Sequence, residues 1–204
     1  MKEPKGKDRI LSEDEEARLL EAVRLTTKSQ HLEPIIITAL NTGMRKGEIL
    51  SLKWSNVDFK NGAIIVEGTK NGEIRKISMN QKLTVPLESG KKVSKSEYVF
   101  SDKGKPYGDV KTGWWTALKK AGIENFRFHD LCHTFGSRPG MVGVDIRTIQ
   151  ELMGHKDIKM TMRHSRPTPE HKKNAVKMLD GVTTYFTTVD KNPDSHKVVS
   201  MGAY

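Results

Sequence analysis

Two Asn-Gly pairs, at residues 61–62 and 71–72, constrain the fold of this chain more than any other feature. Asn-Gly is the preferred sequence for the two-residue turns of β-hairpins, because both turn residues adopt a positive φ. The surrounding segment, VDFKNGAIIVEGTKNGEIRKISM, changes from helical spacing to a period of two. Since the two turns share the segment between them, residues 56–79 are predicted to form a three-stranded antiparallel meander, with Lys70 at the tip of its second hairpin.

Helical signals fill most of the remaining chain. Ser12 and Glu15 form a capping box ahead of apolar residues at helical spacing, and Gly43 fits the C-terminal cap of the next helix. Helices are predicted from Ser12, from Leu32 to Asn41, from Lys46, across TGWWTALKKAG, from His129, from Asp145 to Met153 and over residues 168–180. SDKGKPYGDV is predicted to be a loop, and VTTYFTTV has β propensity. The fold class is therefore α+β, mostly α, with one small three-stranded antiparallel sheet.

The charge balance points to a polyanionic partner. Lys and Arg number 35 against 25 Asp and Glu, which gives a formal net charge of +10 in 204 residues. Nucleic acid is the first partner that such an excess suggests. The single cysteine excludes an internal disulfide and favours a reducing compartment. The longest apolar run, near Ile35, is too short to cross a membrane, and the basic N-terminus lacks the apolar segment of a signal peptide. A cytoplasmic protein without a membrane partner is therefore expected.

Several segments carry groups that phosphodiester chemistry requires. Planar guanidinium groups grip two phosphate oxygens at once, an imidazole can move protons near neutral pH, and a hydroxyl can attack phosphorus. The chain offers Arg45 in NTGMRKGEIL, Lys70 in TKNG, His129 and His133 in FHDLCHTFGS, and His155 in MGH. Taken alone, each of these residues could equally be a surface or packing residue.

The tyrosine recombinases, or phage integrases, are the family that these segments resemble. The segments follow the family's order as TGMRKGEILSLKW, TKNG, HDLxHTFxS and LMGHKDIKMTMR, and the resemblance covers most of residues 10–178. It implies the tyrosine-recombinase catalytic-domain fold and a site-specific cleavage and rejoining of double-stranded DNA through a covalent 3′-phosphotyrosine. It also implies that no metal or nucleotide cofactor is used, because the covalent intermediate keeps the bond energy for rejoining.

The resemblance implies a role for each matching position. Arg45 matches the family's first catalytic arginine, which clamps the scissile phosphate, and Glu48 matches the acidic residue that orients this arginine. Lys70 matches the hairpin lysine that serves as general acid for the departing 5′ oxygen. His129 matches the histidine of the H-x-x-R motif, with a proton-transfer role, and His155 matches the later His/Trp position that hydrogen-bonds the phosphate.

Three positions depart from the family's pattern. Cys132 stands where the second arginine of the H-x-x-R motif is expected, and His164 stands at the position of the tyrosine nucleophile. Pro139 lies inside a predicted helix, where it costs roughly 3 kcal/mol if the helix is continuous. These departures lead us to expect that DNA cleavage is impaired in this chain.

A zinc site is an alternative interpretation of the same segment, since His129, Cys132 and His133 can face one side of a helix. A structural zinc site needs four ligands, usually with more thiolates, and the chain has no second cysteine. We therefore interpret Cys132 as a replacement for an arginine, and His133 as packing and hydrogen-bonding support.

The resemblance also predicts how the chain is organised. Residues 1–10 are predicted to be a basic arm, residues 11–180 the catalytic domain, and residues 181–204 a C-terminal strand or tail of the kind that docks on another protomer in this family. The family's N-terminal DNA-clasping domain is expected to be absent. Two alternatives stay open: a catalytically dead, vestigial or regulatory DNA-binding module, and a helix-turn-helix regulator suggested by DIRTIQELMGH.

Overall fold

The structure, a computed structural model, describes residues 9–26, 31–67, 74–162, 173 and 176–181. These residues belong to two compact units, one within Met1–Thr168 and one within Pro169–Tyr204. Lys70, His164, the VTTYFTTV segment and most of the helix predicted over residues 168–180 lie outside the described residues. In the second unit, the described residues include a short 3₁₀ helix at Met178–Gly181.

Eight α-helices occur among the described residues of the first unit, and most of them follow the sequence predictions. They are α1 (Glu13–Arg24), α2 (Leu32–Thr42), α3 (Lys46–Leu50), α4 (Gln81–Val93), α5 (Lys111–Ala121), α6 (Asp130–Met141), α7 (Ile146–Met153) and α8 (Ile158–Met162). Helices α4 and α8 are additions to the sequence prediction. Within the described part of the chain, no helix has both the length and the apolar character needed to span a membrane.

Local sequence signals set several helix ends. Ser12 and Glu15 form the reciprocal capping box that begins α1, as predicted. Gly43 and Gly154 end α2 and α7 in the left-handed conformation, each with a φ of 62°. Glycine adopts this conformation at little cost. The two glycines thereby turn the chain sharply into the segments that carry Arg45 and His155.

The predicted meander is present as a sheet of three antiparallel strands. They are β1 (Val57–Asp58), β2 (Ala63–Val66) and β3 (Arg75–Ser78), in that order across the sheet. The first turn differs from the predicted two-residue Asn-Gly turn: Asp58 pairs with Ala63, so the loop has four residues, and Gly62 but not Asn61 has a positive φ. Val66 pairs with Arg75, and Ile64 pairs with Ile77. Residues paired across antiparallel strands share one face of the sheet. Arg75 therefore lies on the same face as the buried side chains of Val66 and Ile77.

A separate two-stranded hairpin lies where the sequence analysis predicts a loop for SDKGKPYGDV. Strands β4 (Ser101–Asp102) and β5 (Lys105–Pro106) pair in an antiparallel register. The turn residues Lys103 and Gly104 both have a positive φ, of 49° and 83°. Lysine is uncommon in this conformation, so the sequence carries little signal for such a turn.

In the described helices, two prolines lie beyond the first turn. Helix α6 continues through Pro139, which stands near its C-terminal end, so this proline does not divide the predicted helix. Pro86 lies within α4. The proline nitrogen cannot donate to the carbonyl four residues earlier, which belongs to Phe135 in α6 and to Lys82 in α4. Pro86 and Lys82 are both exposed, so water can hydrate the carbonyl in α4.

In the described part of the chain, the buried side chains form one large cluster and one small cluster. The large cluster joins α1, α2, α3, α4, α5 and the three-stranded sheet. The small cluster contains Cys132, Ile149 and Met153, with Phe135 and Val144 packed against it, and it joins α6 to α7. Because α6 also packs against α2, the start of α6 and the end of α7 lie beside the end of α2.

Candidate functional site

A cavity of about 350 Å³ opens where the ends of α2 and α7 meet the starts of α3 and α6. Its lining is basic, with three arginines and three histidines. The lining residues are Gly43, Arg45, Arg75, Arg127, His129, Cys132, His133, Met153, His155 and Met160. Four of the residues singled out by sequence are thus brought together, namely Arg45, His129, Cys132 and His155. The other two, Lys70 and His164, lie outside the described residues.

Glu48 fixes the position of Arg45. The backbone N–H of Arg45, directly before α3, donates to Glu48 Oε2 at 2.9 Å. The Arg45 guanidinium donates to Glu48 Oε1 at 3.0 Å. The Glu48 side chain is only 16% exposed, whereas that of Arg45 is 57% exposed. The carboxylate therefore caps the helix and orients a guanidinium that remains accessible.

Arg75 is an addition to the predicted site, and it shares the same carboxylate. Its Nη2 donates to Glu48 Oε2 at 2.8 Å, and its Nη1 donates to the Met153 carbonyl at 2.7 Å. The Arg75 side chain is only 13% exposed. A charged side chain on the buried face of a strand requires a partner. The alternation in β3, which puts Arg75 on the face of Ile77, is the sequence signal that could have identified it.

Arg127 is the third arginine of the cavity and, like Arg75, is not singled out by the sequence motifs. Its backbone N–H donates to Asp130 Oδ2 at 2.7 Å, and its Nη2 donates to Asp130 Oδ1 at 2.7 Å. The Asp130 side chain is 1% exposed, so this ion pair is largely removed from water. Asp130 begins α6, and the spacing of three residues between the two charges is the local signal for the pair.

The three histidines come from two segments. His129 immediately precedes α6, and its ring meets that of His133 edge-on, with ring centroids 4.7 Å apart. His133 is buried and lines the cavity directly, which the sequence interpretation as packing support did not anticipate. His155 follows Gly154, and its Nδ1 lies 3.1 Å from Thr161 Oγ1. Because Thr161 is buried in α8, this contact fixes the ring of His155.

Cys132 carries a buried and neutral thiol. Its Sγ donates to the Gly43 carbonyl at 2.9 Å. Burial raises the pKa of this thiol to about 11, although the charges of Arg45 and Arg75 act in the opposite direction. A zinc ligand must be a thiolate. Among the residues that the structure describes, no group of three or more His, Cys, Asp or Glu could hold a metal ion. Cys132 thus lines the cavity without adding a charge to it.

Gly154 leaves the space that Arg75 occupies. A Cβ at position 154 would lie 2.9 Å from Arg75 Nη1 and 3.2 Å from its Nε. At position 43, a Cβ would lie 3.0 Å from Cε1 of Phe135 and 3.2 Å from Sδ of Met153. Side chains at these two positions would therefore collide with the cavity wall, in addition to the strain of a positive φ.

The sequence is similar to known integrases over most of its length. The sequence model of the phage integrase family matches residues 9–171. The integrase of Salmonella phage P22 is 31% identical over 180 residues, which cover 79% of this chain and 46% of the relative. The tyrosine recombinase XerA of Pyrococcus furiosus is 32% identical over 181 residues, which cover 85% of this chain and 62% of the relative. The chain thus spans 46% and 62% of the length of these two relatives.

Solved structures show the same likeness. The crystal structure of a XerA recombinase superposes with a TM-score of 0.69 at 27% identity, covering 88% of this chain and 66% of that chain. The catalytic domain of bacteriophage HP1 integrase gives a TM-score of 0.63 at 29% identity, covering 82% of this chain and 93% of that domain. A Tn1549 transposon integrase in complex with a circular intermediate DNA gives a TM-score of 0.73 and covers 87% of this chain and 68% of its own; at 21% identity, it shows a likeness of fold alone.

Proposed function

This chain belongs to the phage integrase family of tyrosine recombinases, and we propose that it is the catalytic domain of a site-specific recombinase whose cleavage chemistry is impaired. In this proposal the domain binds double-stranded DNA with the scissile phosphate in the basic cavity. The observation that carries the proposal is the meeting of Arg45, His129 and His155, from three distant segments, around one cavity.

The charge of the cavity suits a phosphodiester. The transition state of phosphodiester cleavage spreads negative charge over the non-bridging oxygens, and preorganised guanidinium groups stabilise that charge. Arg45 is accessible to a bound phosphate, while Glu48 fixes both its backbone and its side chain. The net charge of +10 adds a long-range attraction between the chain and DNA.

The remaining roles follow from the family. His129, at the start of α6, transfers a proton, and His155, held by Thr161, donates a hydrogen bond to the phosphate. Lys70, which lies outside the described residues, serves as general acid for the departing 5′ oxygen. The proposed reaction uses no metal ion and no nucleotide cofactor, since the covalent enzyme–DNA bond of the family conserves the energy for rejoining.

Cys132 and His164 are the reasons for proposing impaired chemistry. Cys132 supplies a neutral thiol where the family has a second guanidinium. The removal of one preorganised donor of this kind typically costs on the order of 10²–10³ in rate. His164 stands at the nucleophile position and has no hydroxyl, so a phosphotyrosine cannot form there. The neutral thiol at position 132 also favours a second candidate function, a regulatory DNA-binding module without cleavage.

Relaxation of a supercoiled plasmid distinguishes these functions, because relaxation requires both cleavage and rejoining. We expect little or no relaxation by the chain as it stands and clear relaxation by the double variant Cys132→Arg/His164→Tyr. Adding Arg45→Gln to the double variant should abolish this relaxation activity. A folded, DNA-binding double variant that does not relax the plasmid would contradict the assignment of the cavity. A covalent DNA adduct of the unmodified chain in a denaturing gel would exclude the function without cleavage.

Further protomers are proposed partners on DNA. By analogy with the family, residues 181–204 dock on a neighbouring protomer, and the assembly acts on DNA in the cytoplasm. Sedimentation of the chain on a duplex, with and without residues 181–204, tests this partner. The DNA contact itself is tested by salt, because an affinity that does not fall with rising ionic strength would exclude a groove that contacts phosphates.

A further inference from the structure

We infer that Arg75 is a second guanidinium of the phosphate site, and that its Nε–H donates to a non-bridging oxygen of the phosphate bound in the cavity. The inference rests on the function proposed above, in which Arg45 holds that phosphate. It assigns a phosphate-binding residue to β3, and it does so in a chain where position 132 carries a thiol and no guanidinium.

Arg75 is held in a fixed orientation at the cavity wall. Its Nη2 bonds to Glu48 in α3 at 2.8 Å, and its Nη1 bonds to the Met153 carbonyl at the end of α7 at 2.7 Å. Gly154 leaves room for the side chain, since a Cβ there would lie 3.2 Å from Nε. A guanidinium that is fixed before its ligand arrives loses little conformational entropy on binding.

The third nitrogen of Arg75 has no acceptor. Nε is buried and makes no hydrogen bond to any residue that the structure describes. Buried donors without an acceptor are rare in native proteins, because they forgo the hydrogen bonds that water would make. Arg75 lines the cavity. A phosphate oxygen there is a suitable acceptor, since it is anionic and pairs well with a fixed guanidinium donor.

The charge of Arg75 also acts electrostatically on the side chain at position 132. The charges of Arg75 and Arg45 both lower the pKa of the Cys132 thiol, against the larger effect of burial. Because Cys132 lines the same cavity, an anion bound there lies in the field of both arginines. Glu48, whose charge raises the pKa of the thiol, offsets part of this field. Arg45 and Arg75 therefore both act on an anion at this position, although Cys132 itself contributes no charge.

Titration with inorganic phosphate, followed by NMR, tests the inference. The signals observed are the ring protons of His129, His133 and His155, together with the Arg75 Nε–H, which is identified by its loss in Arg75→Lys. In the unmodified chain, phosphate should shift both sets of signals with one dissociation constant. Arg75→Lys keeps a positive charge near Glu48 but has no Nε–H. We expect this variant to bind phosphate about 10-fold more weakly, as the loss of a charge-assisted hydrogen bond predicts.

Two further variants separate this inference from the proposed function. Arg147→Lys is the matched control, because Arg147 is exposed on α7 and is not part of the cavity lining, and it should bind phosphate unchanged. Arg45→Lys should bind phosphate more weakly if the cavity is the phosphate site. Weaker binding in Arg45→Lys, but not in Arg75→Lys, would overturn the inference about Arg75 alone. Histidine signals that do not respond to phosphate in the unmodified chain would overturn both.

If Arg75→Lys fails to fold, the Nε–H signal of the unmodified chain, assigned through its covalent connections, decides the question. A shift of this signal that saturates together with the histidine signals supports a direct bond from Arg75. A stationary Nε–H signal beside shifting histidine signals means that phosphate binds in the cavity without Arg75.

Discussion

Arg75 Nη2 lies 2.8 Å from Glu48 Oε2, although 27 residues separate the two in the chain. The same carboxylate accepts hydrogen bonds from the backbone and the guanidinium of Arg45. A single, mostly buried carboxylate thus pairs with two guanidinium groups at the wall of the cavity, and one net positive charge remains. It also links β3 to the segment that carries Arg45.

Glu48→Gln keeps the shape of this side chain and removes its charge. We expect the free energy of unfolding to fall by about 2 kcal/mol, because Arg75 loses a mostly buried charged partner. Urea denaturation measures this change. Glu97→Gln is the matched control, because the Glu97–Lys53 ion pair is exposed to solvent and such pairs contribute little. Equal losses in the two variants would contradict a special role for the charge of Glu48.

The parts of the fold that the sequence predicts correctly are those set by neighbouring residues. The capping box of Ser12 and Glu15 acts within one helical turn, and the left-handed cap at Gly43 depends on the residue itself. The meander around residues 56–79 has its three strands in the predicted order. The hairpin at Lys103-Gly104 is also a local feature, but the sequence does not predict it, because a lysine with positive φ gives no recognisable turn signal.

The site is predictable only where a family motif marks it. Arg45, His129, Cys132 and His155, which the motifs single out, line one cavity, but the motifs carry no information about Arg75. The partners of Arg75 are 27 and 78 residues away in the chain, and only the packing of the sheet against α3 and α7 brings them together. Pairing over such distances depends on tertiary structure, which local patterns do not specify.

Pro139→Ala restores the backbone N–H that α6 lacks. The alanine can donate to the Phe135 carbonyl, and we expect the free energy of unfolding to rise by roughly 2 kcal/mol. This value allows for up to about 1 kcal/mol lost through the greater freedom of the unfolded chain. Thermal unfolding followed by circular dichroism should show a higher Tm. Pro86→Ala removes the equivalent defect from α4 and should act in the same direction. A higher Tm in Pro86→Ala but not in Pro139→Ala would mean that the ring of Pro139 packs well enough to offset the missing hydrogen bond.

Cys132 is expected to react slowly with alkylating reagents. Burial raises the pKa of its thiol to about 11, so the reactive thiolate fraction at pH 7 is roughly 10⁻⁴. Iodoacetamide should label the folded chain at least about 100-fold more slowly than the chain in urea, as measured by intact mass. By linkage, the raised pKa stabilises the fold below pH 9, and this contribution is lost as the pH rises through about 11. Equal labelling rates in the folded and unfolded chain would contradict the buried thiol.

His31 is expected to make stability depend on pH in the mildly acidic range. Its ring stacks on that of Tyr107, with centroids 4.6 Å apart. Burial lowers the pKa of His31 from its ordinary value of 6.5, and the charge of Asp102 offsets only part of this effect. The unfolded chain therefore binds the proton more readily, and the free energy of unfolding should fall as the pH drops from about 6.5 through the lowered pKa.

His31→Phe keeps the stacking on Tyr107 and removes the titrating group. Urea denaturation of both proteins at neutral and mildly acidic pH gives the difference in unfolding free energy, in which the other histidines cancel. Acidification should lower the free energy of unfolding of the unmodified chain more than that of His31→Phe. A difference that stays constant with pH would show that His31 titrates alike in the folded and unfolded states.

Cys132→Arg adds a guanidinium to a cavity of about 350 Å³ that already contains Arg45, Arg75 and Arg127. Without DNA, the added charge is repelled by the charges of Arg45 and Arg75, and the hydrogen bond from the thiol to the Gly43 carbonyl is lost. We expect the free energy of unfolding to fall by about 1–2 kcal/mol. With DNA bound, the new guanidinium neutralises one further phosphate. The slope of log affinity against log salt concentration, measured by fluorescence anisotropy on a labelled duplex, should therefore steepen by about one.

Cys132→Met is the control for this substitution, because methionine adds length at position 132 without adding charge. It should disturb packing near Ile149 and Met153, which surround the thiol, yet leave the salt slope unchanged. A slope that steepens for Cys132→Arg and not for Cys132→Met would mean that the positive charge, and not the size of the side chain, causes the change. If neither variant changes the slope, a side chain at position 132 does not reach the DNA phosphate. Cys132 would then not occupy the place at which the family's second arginine acts.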